Sequence, residues 1–183
     1  MKLGQEHRWT VTFPDTPLGT LELVFSPRGL AALVLASPKA KVLSPVPSGS
    51  PDWARMPDPL AGAVALTLEA LTQYFAGKAV SFVRLPLDLR GTPFQLRVWQ
   101  ELRSIPWGET VSYQTLAGRL GSPQAARAVG RACGANPVPI IVPCHRVIAA
   151  DGSLGGYSSG LAHKRWLLQH EGVALERLRP RKS

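Results

Sequence analysis

Apolar and polar residues alternate along Trp9-Thr10-Val11-Thr12-Phe13, the spacing of a strand with one buried face. Gly19-Thr20-Leu21-Glu22-Leu23-Val24-Phe25 and Leu30-Ala31-Ala32-Leu33-Val34-Leu35 read as two more strands. The turns between them run through Pro14-Asp15-Thr16-Pro17 and Ser26-Pro27-Arg28-Gly29, which predicts an antiparallel meander. Residues 44–59 carry five prolines and make a loop or linker. From Leu60 to Phe75 the period becomes helical, with Leu60, Val64, Leu68 and Leu71 on one side and a stop at Gly77. Val80-Ser81-Phe82-Val83 fits a further strand, and Pro86 to Gly91 a connection into a second domain.

The second half is patterned differently. Thr92 and Pro93 supply a cap and a first-turn proline for a helix through Leu102, with Phe94, Val98, Trp99 and Leu102 facing inward. Ile105 to Glu109 is a turn, and Ser112 caps a short helix from Tyr113 to Leu120. Gly121 ends that helix; Ser122 and Pro123 open another, Pro123 to Cys133, built largely from Ala125, Ala126, Ala128, Val129, Gly130 and Ala132. Arg127 and Arg131 stand four apart and project from one face of it. The pair reads either as a helix-turn-helix whose small residues approach a groove or as a tightly packed αα-hairpin. Ile140-Ile141-Val142 then reads as a buried strand broken by Pro143, which delivers Cys144-His145-Arg146 to its end. Asp151-Gly152 is a hairpin-turn signal, Gly155 to Gly160 a glycine-rich loop, and Leu161 to Glu171 a closing helix stopped by Gly172.

With 183 residues, 45% of them hydrophobic, the chain suits one domain or two small ones with a real core. No apolar run approaches the roughly 20 residues of a membrane span, and Met1 to Arg8 lacks the apolar stretch of a signal peptide. The expected location is therefore the reducing compartment of synthesis: the cytoplasm, or the nucleus in a eukaryotic source. Cys133 and Cys144 then read as free thiols, and four scattered histidines with no C-x-x-C pair argue against a metal site. Net charge is +9, with twelve Lys and Arg against five Asp and Glu in residues 91–183, and nine against seven before them. A basic second half suits nucleic acid, or is an ordinary basic surface.

A free thiol is only about 3% thiolate at neutral pH, so a nucleophilic cysteine needs a base and an orienting carboxylate. His145 adjoins Cys144, although neighbours on a regular strand point to opposite faces. Glu171 is the best-placed carboxylate. It lies in the last turn of its helix, where a negative charge opposes the macrodipole, and this suggests a cationic or hydrogen-bonding partner. An acyl substrate would make the set a cysteine hydrolase. An alkyl substrate would leave a thioether that water does not cleave, consuming the protein in one reaction. A third reading is a helix-turn-helix regulator with an idle thiol.

Pro143-Cys144-His145-Arg146-Val147, preceded by Arg127-Ala128-Val129-Gly130 and Asn136-Pro137, resembles the signature of the O6-alkylguanine-DNA alkyltransferases. The likeness extends through Gly108-Glu109, Ser112-Tyr113-Gln114, Gly155, Tyr157, Ser158, Gly160 and Trp166 to His170-Glu171-Gly172, an ordered set over about residues 92 to 172. It implies an α/β protein with an N-terminal domain over 1–90, a small antiparallel sheet with a helix in a ribonuclease H-like layout. A mostly helical, winged helix-turn-helix-like domain over 91–173 would carry the active site, and 174–183 a basic tail.

The resemblance further implies a monomer that binds duplex DNA through the minor groove. The damaged nucleotide is flipped out, and its alkyl group passes irreversibly to Cys144 without cofactor, metal or membrane. O6-alkylguanine is the implied substrate, with O4-alkylthymine left open. His145 would act as base through a water, Glu171 would orient it, and Tyr113 would donate to the departing guanine. Asn136 would brace the turn before the nucleophile. Arg127 would fill the vacated stack, among a DNA-facing set of Ser122, Ala126, Ala128, Arg131 and Tyr113. Val147, Tyr157, Ser158 and Ser159 would meet the flipped base. Arg131, Cys133 and Gly134 fall at variable positions of the recognition helix. Ser159 replaces a glycine of some members, which predicts a narrower pocket. The chain also lacks the extra cysteines of zinc-bearing members.

Overall fold

The computed structural model describes residues 7–35 and 56–174. The chain divides between Leu89 and Arg90 into two compact units. The proline-rich stretch up to Arg55 and the basic end from Leu175 lie outside the described residues.

In the first unit, strands β1 (Trp9–Thr16), β2 (Gly19–Ser26) and β3 (Gly29–Leu35) form an antiparallel sheet in sequence order. Trp9 faces Phe25 and Val11 faces Leu23 across β1 and β2, so the apolar period lands on one side of the sheet. Helix α1 (Asp58–Phe75) packs on β3 and buries Leu60, Ala63, Val64, Thr67, Leu71 and Tyr74. Thr67 turns its hydroxyl back to the Ala63 carbonyl at 2.7 Å, which satisfies that buried polar group within the helix.

The strand expected at Val80–Val83 is absent. Phe82 and Leu85 are buried around a turn, Val83 points outward, and the residue that bridges β3 is Leu87, paired with Leu30. Pro86 decides this: its carbonyl accepts from Leu30 N, while Asp88 N donates to the Leu30 carbonyl. A side chain at Gly29 would sit 2.3 Å from that proline oxygen, so only glycine lets the segments meet.

In the second unit, helix α2 (Pro93–Leu102) opens on a capping box between Thr92 and Gln95 and buries Val98, Trp99 and Leu102. The Trp99 indole N–H donates to the Ala132 carbonyl at 2.8 Å, which fixes α2 against helix α4 (Ala126–Gly134). Strand β4 (Val111–Ser112) leads into helix α3 (Tyr113–Arg119), capped by the Ser112 hydroxyl on Thr115 N at 2.9 Å. Gly121, at φ +73°, turns the chain towards α4.

The helix expected over Pro123 to Cys133 is two pieces. Pro123–Ala125 is a 3₁₀ turn, and Ser122 makes no side-chain cap bond, because Ala125 N already reaches the Ser122 carbonyl at 2.8 Å. Strand β5 (Val147–Ile148) and helix α5 (Leu161–His170) complete the unit. The Asp151-Gly152 turn forms, with Gly152 at φ +82°, yet β5 pairs in parallel with β4 and makes no hairpin.

Candidate active site

Three prolines strip hydrogen-bond donors from residues 137–143, and this decides the backbone before Cys144. Ile140, Ile141 and Val142 are buried as expected, but they form turns and not a strand. Val142 N folds back to the Val138 carbonyl at 2.9 Å, and Ile140 is held at φ +74°, a conformation that strains a β-branched residue. Asn136 braces the loop: its Oδ1 accepts from Val138 N at 3.0 Å, and its Nδ2 donates to the Val142 carbonyl at 2.7 Å. The same amide donates to Cys144 Sγ at 3.2 Å.

Cys144 opens a 3₁₀ turn, Cys144–Arg146, and this resolves the difficulty of adjacent residues. At three residues per turn, successive side chains diverge by about 120°, not by the 180° of a strand. Cys144 therefore lines a cavity while His145, wholly buried, reaches Glu171. His145 Nε2 lies 2.7 Å from Glu171 Oε1.

Glu171 stands one residue past α5, as its C-cap, with Gly172 at φ +80° behind it. Its partners include Arg146: Nε donates to Oε2 at 2.7 Å and Nη2 to Oε1 at 3.0 Å, while Nη1 donates to the Ile105 carbonyl. Burial pushes the Glu171 carboxyl up, but hydrogen bonds from His145 and Arg146 outweigh it and hold the group at about 2. An ionised Glu171 only accepts, so Nε2 carries the imidazole hydrogen. Burial lowers the His145 pKa against the pull of Glu171, which keeps the ring neutral and leaves Nδ1 with a free lone pair. Burial raises the Cys144 pKa, opposed by the Asn136 bond and by Lys164. The resting group is a thiol that needs a base.

The cavity, about 270 Å³, is lined by Tyr113, Gly130, Cys133, Cys144, Tyr157 and Ser158, among others. Tyr113 donates to the Gly156 carbonyl at 3.4 Å, and burial takes its pKa to about 12, so it stays a hydrogen donor. A side chain at Gly155 would meet the Tyr113 ring at 2.9 Å. Burial also lifts Cys133 to about 12, well out of reach of neutral-pH ionisation. Ser159 and Val147 are not among the lining residues; Val147 is buried in β5, and its carbonyl accepts from Lys164 Nζ. On α4, Arg127 and Arg131 are exposed and Ala126 and Ala128 half-buried; Ser122, ahead of the 3₁₀ turn, is half-buried too.

Sequence reasoning missed Lys164. It is fully buried on α5, and its Nζ donates to the carbonyls of Val147, Leu154 and Gly156. Burial brings it down to about 8. A lysine on the same helix face as Leu167, Leu168 and Glu171 was the available signal.

Two family models cover the chain: the DNA-binding domain of 6-O-methylguanine DNA methyltransferase over residues 93–173, and the ribonuclease-like domain of the same protein over residues 8–89. A methylated-DNA–protein-cysteine methyltransferase of Mycolicibacterium paratuberculosis is 46% identical over 157 residues, 86% of this chain and 88% of the relative. One of the same name from Salmonella typhimurium is 53% identical over 107 residues, which span 58% of this chain and 63% of that relative. Among solved structures, Mycobacterium tuberculosis O6-methylguanine methyltransferase matches with a TM-score of 0.71 at 41% identity, covering 96% of this chain and 97% of that one. The M. tuberculosis OGT in complex with DNA matches with a TM-score of 0.71 at 40% identity, covering 94% of this chain and 98% of that one.

Proposed function

The chain belongs to the 6-O-methylguanine DNA methyltransferase family, and we propose that it repairs duplex DNA by moving the alkyl group of O6-alkylguanine onto Cys144, once per molecule. The observation that carries this is Cys144 in a cavity wall on a 3₁₀ turn, with the buried His145–Glu171–Arg146 set directly behind it. The Cys144 thiol gives its proton, through a water, to His145 Nδ1. Glu171 holds the ring by Nε2 and offsets the imidazolium charge. The thiolate attacks the alkyl carbon, the C–O6 bond breaks, and the electron pair leaves with guanine. Tyr113, a protonated phenol at the cavity wall, donates to the leaving base. The product is a thioether, which water does not hydrolyse, so no turnover follows.

The nucleotide reaches the cavity by flipping, which costs a few kcal/mol and least where pairing is already weakened. Arg127 fills the vacated stack from the minor-groove side, Ser122, Ala126, Ala128 and Arg131 lie along the DNA, and Asn136 keeps the loop before Cys144 in register. Ser158 and Tyr157 meet the base in the cavity, beside Cys144. The protein works as a monomer. No helix among the described residues is long and apolar enough to cross a membrane.

Incubation with duplex carrying O6-methylguanine tests the reading. The intact mass should rise by one CH2, at one equivalent and no more. Cys144→Ala should abolish the gain, and Cys133→Ser should keep it. Absence of the adduct on protein that binds DNA would sink the proposal, and multiple turnovers on an ester or amide would replace it with a hydrolase.

A further inference from the structure

Two buried polar atoms of the site have no hydrogen-bond partner among the described residues: His145 Nδ1 and Tyr157 Oη. Buried polar groups in folded proteins are nearly always hydrogen-bonded, to protein or to ordered water. Tyr157 lines the same cavity as Cys144 and lies in the electrostatic field of both Cys144 and Glu171. No direct bond joins Cys144 Sγ to either orphaned atom; among the described residues its side-chain donor is Asn136. Tyr157 supplies a donor beside the thiol, and His145 supplies an acceptor. A water needs both kinds of partner, and a polar site with two to four of them is where one is held.

We propose that Tyr157 is a positioning residue for the Cys144 reaction: with His145 Nδ1, its hydroxyl holds the water that carries the thiol proton to the imidazole. The inference rests on the alkyl-transfer reading of this site and deepens it. The Tyr157 O–H donates to one lone pair of the water, the Cys144 S–H to the other, and the water donates to Nδ1. When the thiol ionises, the S–H bond breaks and the water passes one of its own protons to Nδ1. It keeps the thiol's proton in exchange, and the phenol is unchanged. Burial drives the Tyr157 pKa well above 10, so it remains a donor throughout. Glu171 and Arg146 face the far side of the imidazole, and Lys164, Cys133 and Tyr113 stand around the thiol. Those groups set the charge of the site; Tyr157 sets the orientation of the relay.

Tyr157→Phe removes one oxygen and keeps the ring as cavity wall. Single-turnover transfer from an O6-methylguanine duplex should be followed from about pH 6 to about pH 10, beside duplex affinity. The expected result is a fall in rate of roughly tenfold near neutral pH, narrowing as the pH rises and the thiolate forms without the relay. Duplex affinity, measured beside the rate, separates a loss in the transfer step from a loss of base contact. A pH profile parallel to wild type, whether lowered or unchanged, overturns the proposal, because a wall residue alone would give it. A wild-type chain that gains no methyl group overturns the parent reading as well, which separates the two failures. If the variant does not fold, a high-resolution crystal structure of the unreacted wild-type protein decides. A water within about 3.2 Å of both Tyr157 Oη and His145 Nδ1 is expected, and separate partners for the two atoms would overturn the inference.

Discussion

Arg146 brings two nitrogens to the Glu171 carboxylate and a third to the Ile105 carbonyl, so one side chain fixes the group that fixes His145. The consequence is measurable as a pH dependence of stability. The Glu171 carboxyl sits at about 2 in the folded chain, against an ordinary value of 4.5. Between those values the unfolded chain binds the extra proton, so the stabilisation is complete above about pH 4.5 and is lost as pH falls towards about 2. Glu171→Gln should therefore lower the unfolding free energy most at neutral pH, by about 3–5 kcal/mol, since it leaves the Arg146 charge buried without its counter-ion. Urea titrations should show the gap between variant and wild type closing as the pH approaches 2. A gap independent of pH would mean that packing, and not charge, is what the substitution removes. At this scale the sequence was half legible. The misplaced charge of Glu171 at a helix end announced a partner. The partner's identity was hidden, because nothing local says that a turn 25 residues upstream faces that end. Lys164 was overlooked because its three carbonyl acceptors belong to β5 and to the loop before α5, contacts that no helical period reports.

The segment before Cys144 shows how elements, more than residues, resisted prediction. Burial of Ile140, Ile141 and Val142 was readable from their composition, but the backbone was not. Pro139 and Pro143 remove ladder donors on either side, and Asn136 offers the loop its own hydrogen bonds, so turns outcompete a strand. The two serines of the helix pair make the same point quantitatively. Both have the sequence form of an N-cap, yet only Ser112 bonds a backbone amide, that of Thr115, while Ser122 opens a 3₁₀ turn uncapped. Ser112→Ala should cost about 1 kcal/mol and loosen the first turn of α3, where Tyr113 begins. Ser122→Ala should change stability by less than about 0.5 kcal/mol, the scatter of surface substitutions. Paired denaturant melts check this, and equal losses would show that Ser122 caps in solution.

At the scale of the whole chain, the change of pattern near residue 90 was visible in the sequence, and the chain does divide between Leu89 and Arg90. The misread strand at Val80–Val83 lay next to that division, where Pro86 moves the pairing on to Leu87. The uneven charge bears on function. Twelve Lys and Arg against five Asp and Glu in residues 91–183 predict binding that weakens with salt, since each neutralised phosphate releases counter-ions. Arg127 and Arg131 are both exposed on α4, but the proposed function gives them different work. Arg131, as a phosphate contact, should act uniformly: Arg131→Ala should reduce the slope of log affinity against log salt by about 0.9 on any duplex. Arg127, as the residue that enters the stack, should act selectively. Arg127→Ala should weaken binding and transfer on a fully paired O6-methylguanine duplex by roughly tenfold or more, an energy on the scale of unstacking a base. On a duplex whose target already lies opposite an abasic or mismatched position, the loss should shrink towards that of one phosphate contact. Fluorescence anisotropy over a salt series, run on both duplexes with both variants, separates the two roles. Equal losses for Arg127→Ala on paired and pre-weakened sites would reduce it to one more positive charge, and the flipping step would then need another residue.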